Sequence, residues 1–252
     1  MKSLSVLKYS VNSMKKAMII YYPIYILAIV VVCLVARGSS DAIEFKAGFI
    51  QGTDFGTVIL MFVLGLCSFK ESFYLMQSMN VSRKSFFKGI VLSVIPMAAI
   101  CSVLDLILNR IFNLFINTPT IYDMAYGSSY ESLGFSHYYI ENNISTLFNI
   151  FIFQFFFLIF IFAVGFFITN LYYKCNTTMK VVVSILPIIL INGYSALNYY
   201  SPKICADINK FFLSLSGVSS RNVYMMILTF VMGCIILNSL SFLMIRKAVV
   251  KN

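Results

Sequence analysis

The chain has 252 residues, 60% of them hydrophobic and only 11% charged, with a mean hydropathy of +0.88 and a net charge of +10. So little charge cannot cover a water-soluble surface of this size. The apolar residues also run on unbroken for about a bilayer's width, which excludes a soluble globular domain and predicts spanning helices. The 19 basic residues cluster at the ends of those runs, where they set topology and meet anionic headgroups. No basic patch interleaved with aromatics lies on a soluble module, so no nucleic-acid partner is expected.

Residues 1–16 place Leu4, Leu7, Val11 and Met14 at helical spacing, with Lys2, Lys8, Lys15 and Lys16 on other faces. That pattern predicts a basic amphipathic helix lying on the membrane surface. A cleavable signal peptide fits less well, because the next apolar run is too long and no A-x-A cleavage site appears. Residues 17–36 carry no charge before Arg37 and form the first span, about 30 Å at 1.5 Å per residue. The second span is predicted over 49–76. Gly48, Gly52 and Gly56 fall four apart at its start, either as a small face for close helix approach or as loop residues.

The third span is predicted over 89–116 and takes in Asp105, within reach of Asn109 one turn on. The fourth covers 144–172 inside an uncharged stretch longer than a bilayer needs, with ten phenylalanines between Phe148 and Phe167. They lie on all sides of a helix and read as lipid contact and packing. The fifth covers 181–200, with Pro187 a kink, and the sixth 222–245. Between them Ser201-Pro202 opens a helix over 202–216. Its Ile204, Ile208, Phe211, Phe212 and Leu215 share one face, so it is expected to lie on or dip into the outer leaflet. The outer loop 117–141 holds five tyrosines and no Lys or Arg, and these read as headgroup-level anchors before a gating lid.

Thirteen of the Lys and Arg residues fall on the side of residues 1–16, 70–88, 174–180 and 246–251, and six on the other. The richer side is expected to be cytoplasmic, which makes the chain a multi-pass plasma-membrane protein with both termini inside. The expected fold class is therefore an all-α membrane protein, one transmembrane domain of six helices.

Chemistry has few residues to work with. One histidine, His137, and six cysteines with no C-x-x-C pair supply no metal spacing, and the cysteines read as packing residues. H-E-x-x-H is absent, and Gly217-Val218-Ser219-Ser220 has no histidine near it in sequence. No catalytic residues, metal or cofactor are expected on the chain. Asp54 and Asp105 fall near the outer ends of their spans and read as structural or interfacial before any proton relay, which would lie deeper. A phosphate-binding G-x-x-x-x-G-K-[ST] loop is also missing, so ATP and Mg would have to be held by a separate polypeptide.

One segment looks like a docking site. In Asn80-Val81-Ser82-Arg83-Lys84-Ser85-Phe86-Phe87-Lys88-Gly89, Ser82 can cap a short helix over 79–88 whose exposed apolar face is Phe86 and Phe87, beside the cations Arg83, Lys84 and Lys88. Paired rings among cations suit a partner's groove with an acidic rim. The residues alone serve equally well as a plain loop with its rings in the bilayer. This run resembles the G-V-S-R-K-x-x-F element of ABC-2-type permeases from Gram-positive bacteria, with Asn80 in the place of glycine and equally able to take a left-handed turn. The plan of the whole chain is also similar to that family.

The resemblance implies that Asn80, Val81, Ser82, Arg83, Lys84, Phe86 and Phe87 form a coupling helix on an ABC ATPase. Two ATPase subunits would serve a homodimer or a pair of related permeases. It further implies that spans two and five line a path, with Asn192, Tyr194, Ser195 and Asn198 as polar contacts, and that the cargo is an amphipathic or antimicrobial peptide, as in small exporters of the phenol-soluble-modulin type. A second hypothesis is a substrate-binding membrane subunit or non-ATP secondary transporter, which calls for a compact polar pocket at mid-membrane. An intramembrane enzyme is a third.

Overall fold

A computed structural model of the chain describes residues 2–38, 52–115, 118–132 and 135–246. Gly48, residues 49–51 of the second predicted span and Ile116 of the third lie outside the described residues. Among the described residues the chain forms α1 (Lys2–Gly38), α2 (Phe55–Cys67), α3 (Lys70–Ser78), α4 (Arg83–Asn113), α5 (Ile121–Tyr126), a hairpin of β1 (Ser129–Ser132) and β2 (Phe135–Tyr138), α6 (Ile144–Lys174), α7 (Thr177–Tyr200), α8 (Pro202–Ser216) and α9 (Val223–Arg246). Six stretches are long and apolar enough to cross a bilayer: Ser3–Val32, Phe55–Ser78 across α2 and α3, Arg83–Asn113, Ile144–Lys174, Thr178–Tyr200 and Val223–Arg246. The protein is thus a predominantly helical multi-pass membrane protein. The small hairpin pairs Ser129 with Tyr138 and Ser132 with Phe135.

The N-terminal third of α1 does not form a separate surface helix over 1–16. It continues without a break into the first span, because its apolar positions Val6, Met14, Met18 and Tyr22 make one buried stripe with Ser10. Lys8, Lys15 and Lys16 stay on the exposed side. The stripe runs parallel to α4: a Cβ on Gly89 would lie 2.6 Å from the Val6 side chain, while Tyr22 reaches Cys101 and Asp105. Gly89 therefore lets the two helices touch backbone to side chain.

The core is the packing of α6 against α2, α4 and α9. Its tightest crossing joins Gly65 and Gly165, where a Cβ on Gly65 would sit 2.5 Å from the Phe162 carbonyl and 3.1 Å from the Gly165 Cα. Among the described residues of the second span the close small-residue contact is thus here, and Gly52 and Gly56 do not share a helix face. Gly52 lies outside the helix with φ 67° and donates its N–H to Pro119 O at 3.0 Å, and Gly56 faces the Tyr21 hydroxyl.

Rings fill the space around that crossing. Phe69 stacks on Phe73 at one end of the core and Phe86 and Tyr173 meet them edge-on, while Phe153, Phe157, Phe160 and Phe230 form a second group toward the other. By contrast α7 leans on little beyond α8, and none of the apolar window of α7 is buried.

Candidate functional site

Two places carry polar groups in arrangements the apolar spans do not explain. The first is the turn between α3 and α4. Asn80 adopts φ 55°, the Asn80 N–H donates to Gln77 O, and the Val81 N–H donates to Met76 O. This double bond set ends α3 in a Schellman turn, with Val81 and Met76 both buried beneath it. Ser82 then starts α4: its backbone is extended and its hydroxyl accepts the Ser85 N–H at 3.2 Å. A helix stop and a helix start separated by four residues make a stiff elbow.

The elbow differs from the expected docking helix in three ways. No separate helix covers 79–88, because Arg83 already belongs to α4. Phe86 is 0% exposed, wedged against Phe69 and Phe73, so it cannot enter a partner's groove. Phe87 packs on Phe166 and Phe242 and is half-buried. Helical periodicity explains the inversion: Phe86 shares a face with Ile90, Ser93 and Met97, all buried. Arg83 is also engaged, donating from Nη1 to Arg246 O at 2.9 Å and so closing the carbonyl end of α9. What remains outward is Met79, Asn80, Ser82, Lys84 and Lys88.

The second place is Asp105, eight residues before the end of α4 and 5% exposed. Its Oδ1 accepts from Tyr22 OH at 3.0 Å and Thr57 Oγ1 at 2.9 Å, and its Oδ2 accepts from Gln154 Nε2 at 3.3 Å. Four helices, α1, α2, α4 and α6, therefore meet at one carboxyl. The Asp105 carboxyl does not bond the Asn109 side chain. Asn109 instead donates to Thr53 Oγ1 and Thr118 O, and accepts from Asn113. The Gln154 Oε1 is buried without a partner. Tyr22, Thr57 and Gln154 are not among the residues that the sequence singles out. Gln154 alone carried a signal, an amide among phenylalanines.

Toward the outer end predicted from charge, Asp54 accepts the Ile121 N–H at 3.0 Å and so pins the start of α5. Burial pushes the Asp54 carboxyl up to about 6, against the opposing pull of that backbone bond and with a smaller push from Asp123. Asp123 completes a capping box with Thr120, and Tyr126 OH donates to Ser216 O at 2.6 Å. The tyrosines of this loop, expected as headgroup anchors, thus include one that ties α5 to the end of α8.

The expected path residues all lie on α7 and are all exposed. Asn192 donates to Ile188 O and Ser195 to Ile191 O on their own helix, Tyr194 OH donates to Asn209 on α8, and Asn198 sits one turn further on. α2, the other helix expected to line the path, packs on α6. Comparison with family models, curated proteins and solved structures finds no match to this chain.

Proposed function

We propose that the chain is the membrane-spanning subunit of an ATP-driven exporter whose ATPase is a separate polypeptide. The observation that carries this is the elbow at 79–88. It presents Lys84 and Lys88 outward while its rings are rooted in the core, so a load applied there passes into α4 and on to the Asp105 junction of four helices. A mechanical coupling point needs that combination of an exposed charged grip and a rigid root. The docking face is accordingly Met79, Asn80, Ser82, Lys84 and Lys88, with Phe86 and Phe87 as its anchor. A second copy of the permease and the cargo would both meet α7, whose exposed Asn192, Ser195 and Asn198 are costly against lipid alone. Amphipathic peptide remains the cargo class that this mix of apolar surface and scattered amides suits.

Co-purification of the tagged chain with an ABC ATPase from the cell that makes it tests the reading. Lys84→Glu with Lys88→Glu is expected to weaken ATPase capture at least tenfold while leaving the permease folded. Unchanged capture removes the coupling assignment.

Asp105 favours a second reading, a proton- or cation-coupled secondary transporter, because an ionisable group inside a span is a functional candidate by default. Uptake by proteoliposomes that hold this chain alone, driven by a proton or sodium gradient and abolished by Asp105→Asn, would select it over the first.

A further inference from the structure

A cavity of about 540 Å³ opens between the α2–α3 junction, the end of α6 and the start of α7. Its rim carries Lys70 and Lys180, brought together from positions 110 residues apart, together with Tyr74 and Tyr172. Its floor is the apolar Leu66 and Phe69. Neither ammonium has an ion pair among the described residues. Lys180 lies in the first turn of α7, whose N-cap Asn176 makes no side-chain cap bond, so the positive end of that helix adds to the local field. Such a site takes an anion with several acceptor oxygens attached to something apolar. Phosphate meets the first need and an acyl-glycerol stem the second.

We propose that this cavity holds the phosphate headgroup of an anionic phospholipid. The floor decides between lipid and soluble anion: Leu66 and Phe69 give a free phosphate nothing, and the apolar exposed residues Val181 and Ile185 of α7 continue the surface along which acyl chains lie. The site occupies the end of the molecule that also holds the elbow, the end with most of the cations. Anionic lipid bound there would bridge α3 and α7, the one span that the rest of the fold holds loosely. The proposal needs no ATPase, so it stands or falls apart from the exporter reading.

Native mass spectrometry of the full chain in mild detergent, titrated with phosphatidylglycerol or phosphatidylcholine, tests it. One phosphatidylglycerol is expected to stay bound where phosphatidylcholine does not. Lys70→Gln with Lys180→Gln is expected to lower the affinity about 30-fold, about fivefold for each basic residue, and Lys70→Arg with Lys180→Arg to retain it. The charge-matched pair Lys8→Gln with Lys15→Gln, exposed on α1, is expected to change it less than threefold. Should the double variant misfold, Lys180→Gln alone is expected to lose about fivefold. Equal losses from both pairs, or equal binding of phosphatidylcholine, overturn the site as general surface attraction. Displacement by equimolar inorganic phosphate overturns the lipid and makes a soluble phosphate the ligand.

Discussion

A buried carboxyl is costly unless its oxygens are bonded, and Asp105 shows how a span of this protein meets that cost. Three donors converge on it from three other helices. Asp105→Ala would strand all three and is expected to cost about 2 kcal/mol, read as the midpoint of denaturant unfolding in detergent. Asp105→Asn is expected to cost less than half of that, since its carbonyl keeps Tyr22 and Thr57 while its amide can donate to the unpartnered Gln154 Oε1. Equal losses for the two would mean that the charge itself matters. Asp54 gives a second prediction. Its folded pKa, about 6, lies above the ordinary 3.8, so its stabilising contribution is complete below about pH 4 and is lost as pH rises through about 6, up to about 3 kcal/mol in all. The unfolding midpoint is therefore expected to fall between about pH 4 and about pH 6.5 in the native chain and to stay flatter in Asp54→Asn. Sequence alone showed that both acids were unusual. It could not show their partners, because Tyr22, Thr57 and Gln154 come from three distant segments that only packing brings together.

Individual helices were readable to different degrees, and the reasons are physical. Long apolar runs announce spans, and Ser201-Pro202 with Gly217 at φ 65° brackets a helix over Pro202–Ser216. The continuity of α1 was hidden by Lys15 and Lys16, which break the hydropathy pattern but cost the helical backbone nothing. At the elbow Phe86 was expected on the exposed face of a short helix of its own, but that turn is the start of α4, whose buried face takes Phe86. Phe86→Ala is expected to cost 3–5 kcal/mol of stability by cavity formation, a loss that would mimic a docking defect unless folding is measured beside it. Helix contact is set just as locally. Gly65→Ala or Gly165→Ala drives a methyl into the facing backbone and is expected to destabilise by about 1–3 kcal/mol. Gly193→Ala, with nothing within 4 Å of the added carbon, is expected to be neutral or to gain up to about 1 kcal/mol from helix propensity. If all three substitutions behave alike, the Gly65–Gly165 crossing does not hold α2 on α6.

At the scale of the whole molecule, contacts divide the protein into two ends. Arg83 on Arg246 O joins the start of α4 to the stop of α9 at one end, where the elbow and the Lys70–Lys180 cavity also lie. Asp54 on Ile121 and Tyr126 on Ser216 close the other. Packing says which groups share an end and is indifferent to which end faces the cytoplasm; the charge asymmetry, thirteen basic residues against six, supplies that direction. The exporter reading requires the elbow inside, since a soluble ATPase can reach it only there. In a background freed of its six cysteines, Ser82→Cys on the elbow and Ser219→Cys on the exposed loop before α9 offer one label site at each end. In intact cells a membrane-impermeant maleimide is expected to modify Ser219→Cys and to leave Ser82→Cys untouched until the membrane is opened. The reverse pattern would turn the molecule over, leave the elbow with no motor to grip, and make the secondary-transporter reading built on Asp105 the one to pursue.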